Sequence, residues 1–163
     1  MGRGGTDALE AVMTEDLLRR LERLEDLEAI RRLKHRYGEL CDEEYNADAL
    51  VELFTEDGVW DAGELYGRFA GREAMHGFFK SISQTVMFAL HTAFNEIIDI
   101  DGETARARWR AIIPATFKIE GSSVPYWTFS GYDDRMRKVN GEWRFTEVRS
   151  IIVRTGPHAE GWQ

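Results

Sequence analysis

Three short turn signals, "DGET" at residues 101–104, "GSS" at 121–123 and "NGE" at 140–142, divide the second half of the chain into four long segments. Those segments, "VMFALHTAFNEIIDID", "ARARWRAIIPATFKIE", "VPYWTFSGYDDRMRKV" and "WRFTEVRSIIVRT", are rich in β-branched and aromatic residues and read as strands. Asn-Gly is the pair that a two-residue hairpin favours, because both central residues take positive φ. Strands joined in this way run as an antiparallel meander, and one face of such a sheet has to be covered. The first half of the chain supplies the cover.

"TEDLLRRLERLEDLEAIRRLKHRYGELCDEEY" is helical in composition, with Thr14 as N-cap and residues 1–13 expected to be flexible. Its apolar stripe changes side. Leu17, Leu21 and Leu24 share one side, while Ile30, Leu33, Tyr37 and Leu40 lie nearly opposite at about 100° per residue. Three arrangements fit: a break near Glu25–Glu28, first turns packed on something else such as a second subunit, or a helix wedged between two layers. "NADALVELFTED" reads as a second helix capped by Asn46, and "GREAMHGFFKSISQT" as a third. The pieces "GVWDAG" and "LYGRFAG" between them are strand-like. The expected fold is α+β, a curved, mostly antiparallel sheet wrapped around N-terminal helices. One domain spans residues 14–155, and the tail "GPHAEGWQ" (156–163) is expected to be irregular.

Composition narrows the function. With 163 residues and 43% hydrophobic content the chain builds one core. A formal net charge of -8 argues against a nucleic-acid or anionic-membrane partner. Cys41 is the single cysteine, so no internal disulfide forms. No apolar run reaches the roughly 18 residues of a membrane span, and a cytoplasmic location is expected. His35, His76, His91 and His158 lack metal-ligand spacing, so neither metal nor cofactor is expected.

Period-2 alternation turns Ala105, Ala107, Trp109, Ala111 and Ile113 to one face and Arg106, Arg108 and Arg110 to the other. An inner face rich in alanine leaves room for a cavity unless helices fill it. The histidine of "FALHTAFN", His91, lies among small residues in what reads as a buried strand. Buried, it needs a hydrogen-bond partner. It is either a core histidine satisfied by a carbonyl or tyrosine, or a base oriented by an acid. Most of the chain's carboxylates fall on helix exteriors or turns. Asp42 ends the first helix, where negative charge opposes the macrodipole, so its placement asks for a task. Tyr37 lies five residues earlier, about 140° away around an ideal helix, so the two share a pocket only if the helix distorts or ends near Gly38 to Cys41.

The stretches "RLERLEDLEAIRRLKHRYGELCDEEYNADALVELFTEDGVWDAG", "GREAMHGFF", "FALHTAFNEIIDIDGETARARWRA" and "NGEWRFTEVRS" resemble the SnoaL-like group of the nuclear transport factor 2-like superfamily. The resemblance covers about Leu17 to Arg154 and implies a cone-shaped α+β barrel. In pattern the chain is most similar to scytalone dehydratase, bile-acid 7α-dehydratase and hexachlorocyclohexane dehydrochlorinase. These use an Asp–His pair for β-elimination, with the aspartate from the end of the first long helix. Asp42 and His91 fall at those positions, Tyr37 matches a tyrosine of the bile-acid enzyme, and Arg149, ahead of Arg154, matches an arginine of the last strand. The second histidine or acid that the dehydratases carry on the next strand has no counterpart in "RWRAIIPATF".

The resemblance therefore implies a cofactor-independent lyase of dehydratase type. His91 is the base, Asp42 its orienting partner, Tyr37 a hydrogen-bond donor and Arg149 an electrostatic aid. Trp60, Tyr66, Phe79, Trp109 and Tyr126 are the expected pocket walls for a small hydrophobic, ring-containing, oxygenated substrate. An isomerase, a cyclase, an epoxide hydrolase or a non-catalytic binding domain would use the same pocket. Self-association as a trimer or dimer is the expected assembly.

Overall fold

The computed structural model describes residues 3–158, with side chains from residue 10 onward. Helix α1 (Arg3–Asp42) is followed by α2 (Ala47–Glu52), β1 (Phe54–Asp61), α3 (Gly63–Tyr66), β2 (Arg68–Ala70) and α4 (Arg72–Ile82). The meander then comprises β3 (Val86–Ala89), β4 (Thr92–Asp101), β5 (Thr104–Ile119), β6 (Ser122–Val139) and β7 (Glu142–Pro157). One curled sheet runs β2-β1-β7-β6-β5-β3, with β4 also on β5. The β1–β7 contact is parallel, and the other ladders are antiparallel. This is the cone-shaped α+β fold expected, with the second half of α1 laid in the concavity.

The hairpins form as the turn residues dictate. Glu120 and Gly121 (φ 50 and 83), then Asn140 and Gly141 (φ 53 and 83), close two-residue loops in left-handed conformation. Asn46 caps α2 by accepting the Ala49 N–H at 3.2 Å. The inner face of β5 is as the alternation requires: Ala105, Ala107, Trp109 and Ala111 are buried, and Arg106, Arg108 and Arg110 are exposed.

Three expectations are corrected. Helix α1 begins at Arg3 and runs unbroken past Glu25–Glu28, so Thr14 is not a cap. Its hydroxyl instead bonds back to the Glu10 carbonyl at 2.8 Å, and the preceding "DALEAVM" is made of helix formers that carry the helix outward. The tail is not irregular from residue 156, because β7 continues to Pro157 opposite Tyr126. Residues 1–2 of the N-terminal expectation and 159–163 of the tail lie outside the described residues.

The third correction concerns "VMFALHTAFNEIIDID", which forms two strands rather than one. Both pair with β5, and the gap falls at Leu90–His91, opposite Pro114. Leu90 donates its N–H to the Pro114 carbonyl at 3.0 Å. In an antiparallel ladder a residue's N and C=O point to the same side, and proline has no hydrogen to give there. The ladder therefore loses a donor beside His91, and the chain leaves the sheet.

Helix α1 grips the domain through one buried ion pair. Lys34, on the stripe with Ile30 and Tyr37, meets Asp134 of β6 at 2.8 Å, with the two side chains 2% and 0% exposed. The Lys34 Nζ also lies 3.2 Å from the centroid of the Tyr132 ring. Around it pack Tyr37, Phe54, Phe145 and Tyr132. Burial raises the Asp134 carboxyl to about 6 against the pull of Lys34, and lowers the Lys34 ammonium. No helix of the described residues is long and apolar enough to cross a membrane.

A raised folded-state value means the folded carboxyl holds its proton more tightly than the unfolded one. Asp134 thus contributes stability at low pH that is lost as pH rises from about 4 to about 6. Urea unfolding across that window should show a falling contribution in the wild type that Asp134→Asn removes. An unchanged slope would mean that Asp134 does not titrate there. Gly131 supplies a second test, since a Cβ there would sit 2.8 Å from the Trp109 carbonyl. Gly131→Ala should destabilise the sheet by about 1–3 kcal/mol in the same melts.

Candidate active site

The His91 imidazole is held by the end of α1. Its Nδ1–H donates to Asp42 Oδ1 at 2.7 Å, and its backbone N–H reaches Oδ1 and Oδ2 at 2.9 and 3.2 Å. A carboxylate only accepts, so Nδ1 carries the proton and Nε2 is left with its lone pair. Leu90 turns its N–H to Pro114 on β5, so the next N–H along, that of His91, faces the open edge of the sheet, where Asp42 meets it. Close approach is possible because Gly38 faces the loop, where a Cβ would lie 3.2 Å from the His91 carbonyl oxygen. The imidazole is 10% exposed and Asp42 23%.

The free edge of the ring enters a pocket with about 590 Å³ of empty space, open solvent beyond its mouth included. Tyr37, Tyr45, Trp60, Tyr66, Phe117 and Tyr132 supply its aromatic wall, and Ile113, Ala115, Thr128, Ser150 and Ile152 line its sheet side. Among the described residues lining it, His91 is the sole side chain with an imidazole, carboxylate, ammonium or guanidinium. The alanines read from the alternation, Ala105, Ala107 and Ala111, are packed in the core and leave no cavity; the β5 residues of that face that do line the pocket are Ile113 and Ala115.

Tyr37 and Asp42 both serve this site without sharing a helix face. Asp42 stands behind the imidazole, while Tyr37 reaches the pocket from the buried stripe. The Trp60 Nε1–H donates to the Tyr37 hydroxyl at 2.8 Å, which occupies its acceptor side and leaves its own proton to give. The Cys41 sulfur, a weak acceptor, is a hydrogen-bonding neighbour of this hydroxyl. Desolvation pushes both groups upward, the Cys41 thiol to about 12 and the Tyr37 phenol well above its ordinary value. Neither ionises in this setting near neutral pH.

Trp60 and Tyr66 line the pocket as expected. Four other candidates do not. Phe79 is fully buried in the core, edge-on to Trp60 and stacked on Tyr45. Trp109 faces inward but is packed in the core away from the cavity, because the alternation fixes its side of the sheet and not its depth. Tyr126 stands beyond the lining, edge-on to Phe117 at 5.3 Å. Arg149 is exposed, on the face of β7 opposite Ser150. Its runner-up Arg154 is also outside. The pairing slips between Ser130–Ile152 and Phe129–Arg154, so a bulge at Val153 turns Arg154 to the side of exposed Phe129.

Sequence reasoning missed Tyr45. It follows α1 in left-handed conformation (φ 53), directly after Glu44 (φ 56), and its N–H returns to the Cys41 carbonyl. Two non-glycine residues in this region are strained, and such strain collects at functional sites. The result sets the Tyr45 hydroxyl 3.5 Å from His91 Nε2, with the rings edge-on at 5.8 Å. Lys34 and Asp134 were missed as well. The signal available was a charge on each of two faces that periodicity turns inward, Lys34 with Ile30 and Tyr37, and Asp134 with Tyr132 and Met136.

The model of the SnoaL-like domain family matches residues 22–149. No curated protein matches the chain in sequence. Among solved structures, a candidate scytalone dehydratase from Novosphingobium aromaticivorans superimposes with a TM-score of 0.74 at 23% identity, covering 83% of this chain and 89% of that one. A hexachlorocyclohexane dehydrochlorinase from Novosphingobium barchaimii superimposes at 0.78 with 16% identity, covering 88% and 97%. A nuclear transport factor 2-like protein with a cystatin-like fold, from Novosphingobium aromaticivorans, gives 0.67 at 25% identity over 85% and 89%. With most of its length spanned by that one model, and the fold these neighbours share, the chain belongs to the SnoaL-like domain family.

Proposed function

We propose that this protein is a cofactor-independent lyase of dehydratase type, acting on a small, uncharged, ring-containing and oxygenated substrate. The observation that carries the reading is the His91 ring, with Nδ1–H given to Asp42 and a bare Nε2 at the pocket wall. The likeness to a dehydrochlorinase and a candidate scytalone dehydratase supports elimination chemistry. A pocket without cationic side chains argues against a carboxylate or phosphate on the substrate, and its tyrosine hydroxyls suit carbonyl and hydroxyl groups.

In the reaction, Nε2 removes a proton from the carbon next to a carbonyl. The C–H electron pair becomes the new C=C bond as the β C–O bond breaks. The imidazolium, stabilised by Asp42, returns the proton to the departing hydroxyl, which leaves as water and restores the neutral ring. Tyr37, whose acceptor side is filled by Trp60, can exchange its Cys41 contact for a substrate oxygen on which charge develops. Tyr45, beside Nε2, holds the ring until substrate takes its place.

The test follows a panel of neutral cyclic β-hydroxy ketones by enone absorbance and by deuterium wash-in at the α-carbon. Wild type should turn over at least one of them. His91→Ala and Asp42→Asn should each lower kcat/KM by about 10²–10⁴-fold while remaining folded. Undiminished rates in both would end the proposal, and ligand binding without exchange or turnover across the panel would assign the pocket to binding alone. Tyr45→Phe, which removes a contact that substrate displaces, should leave kcat/KM within about threefold of wild type. Gly38→Ala, which touches no substrate, should lower kcat by roughly tenfold through displacement of the His91 loop.

A further inference from the structure

Lys34 and Asp134 hold α1 on the sheet, yet apolar side chains of similar volume hold a buried contact as well or better. A charged pair 2% and 0% exposed therefore asks for a further task. What the ammonium touches supplies one. Its Nζ lies 3.2 Å from the centroid of the Tyr132 ring, and farther, at 4.8 and 5.8 Å, from the rings of Tyr37 and Phe145. Tyr132 thus carries a cation on one face, well inside the roughly 6 Å over which ring and cation attract.

Tyr132 is fixed at its ring and open at its hydroxyl. It sits in mid-sheet between Trp109 of β5 and Ser150 of β7 and is 5% exposed. Tyr37 stands edge-on to it at 6.3 Å. The Tyr37 hydroxyl takes the Trp60 N–H, and the Tyr45 hydroxyl lies beside His91, but no described residue hydrogen-bonds the hydroxyl of Tyr132. Nor is that oxygen sealed in the core, as the Ser130 hydroxyl and the Trp109 indole N–H are; Tyr132 lines the cavity that His91 enters. Burial keeps its phenol protonated, so what it offers there is a donor.

We propose that Tyr132 gives a hydrogen bond to the substrate carbonyl oxygen as that oxygen gains negative charge, alongside Tyr37, and that Lys34 is the positioning residue that strengthens this bond through the ring. When the O–H is shared with an oxyanion, electron density moves onto the ring, and the ammonium attracts the ring more strongly. An interaction that grows toward the transition state lowers the barrier, whereas one of constant strength changes binding alone. It acts without screening by water, because the pair is out of contact with solvent. Asp134 offsets the burial that works against the Lys34 charge. The substrate meets only hydroxyls, yet a fixed positive charge stands one ring away from its carbonyl oxygen.

This role presupposes a ketone whose α-proton goes to His91, so it is read first where no proton can move, in a His91→Ala chain. Cyclohex-2-enone is the probe, and the infrared carbonyl stretch of the bound ketone is the readout. In His91→Ala the band should fall below its position in buffer, and adding Tyr132→Phe should return much of that shift. Neutral replacement of the pair should do the same, as Lys34→Met with Asp134→Leu or as Lys34→Gln with Asp134→Asn, a thermal melt showing which form folds. A band unmoved by Tyr132→Phe would overturn the contact, and one unmoved by a folded neutral pair would overturn the role of Lys34. A band at its buffer position in His91→Ala itself would overturn both. With His91 in place, Tyr132→Phe should lower kcat by roughly 10²-fold and the neutral pair by roughly tenfold, with KM little changed. A loss confined to KM would make Tyr132 a wall of the pocket and overturn the proposal. A shifted band together with an undiminished rate in His91→Ala would remove the base and keep the donor.

Discussion

The site depends on one carboxylate at the end of one helix. Asp42 takes the backbone N–H and the ring N–H of His91 together, so it fixes the position of the loop and the tautomer of the imidazole in a single contact. A negative charge at a helix C-terminus is opposed by the macrodipole. Two charge-assisted hydrogen bonds offset that opposition. The sheet accommodates the contact because the His91 N–H faces its open edge, and the helix accommodates it through Gly38, which lets the loop approach. Remove any of these and the imidazole loses its orientation before it loses its surroundings.

Beneath the pocket the same helix is held by a second electrostatic contact of a different kind. Lys34 and Asp134 are out of water altogether, and desolvation works against both charges. The ammonium lies on the face of Tyr132, a residue that also lines the pocket. Charge is thus kept below the floor and the cavity is lined by neutral hydroxyls and apolar groups. The tyrosines there are driven upward by burial, so they act as hydrogen-bond donors and not as phenolates. One base in a neutral chamber is a setting for moving a proton on an uncharged molecule.

Local patterns made the fold legible where they were unambiguous. The Asn140–Gly141 turn, the Asn46 cap and the alternation of alanine and arginine on β5 each point to one answer, and each holds. The pairing of Asp42 with His91 was legible from the unfavourable place of the acid and the buried place of the histidine, joined by family resemblance. What could not be read depended on depth and register. Alternation gives the side of Trp109 but not how far along the sheet the cavity lies. A bulge at Val153 reverses Arg154, and nothing in "SIIVRT" announces it. Pro114 did announce the gap at His91, but only once its partner strand was known. Tyr45 follows from a strained helix end, where sequence rules expect glycine or asparagine.

The central claim is that His91 presents a bare Nε2 to the pocket because Asp42 holds the proton on Nδ1. A long-range ¹H–¹⁵N correlation spectrum of the imidazoles, taken at a pH where the ring is neutral, reads that directly. The account predicts a single Nδ1–H tautomer for His91 in the wild type, and its loss in Asp42→Asn. An Nε2–H tautomer, or a ring averaging between the two forms as a solvent-exposed histidine does, would contradict it.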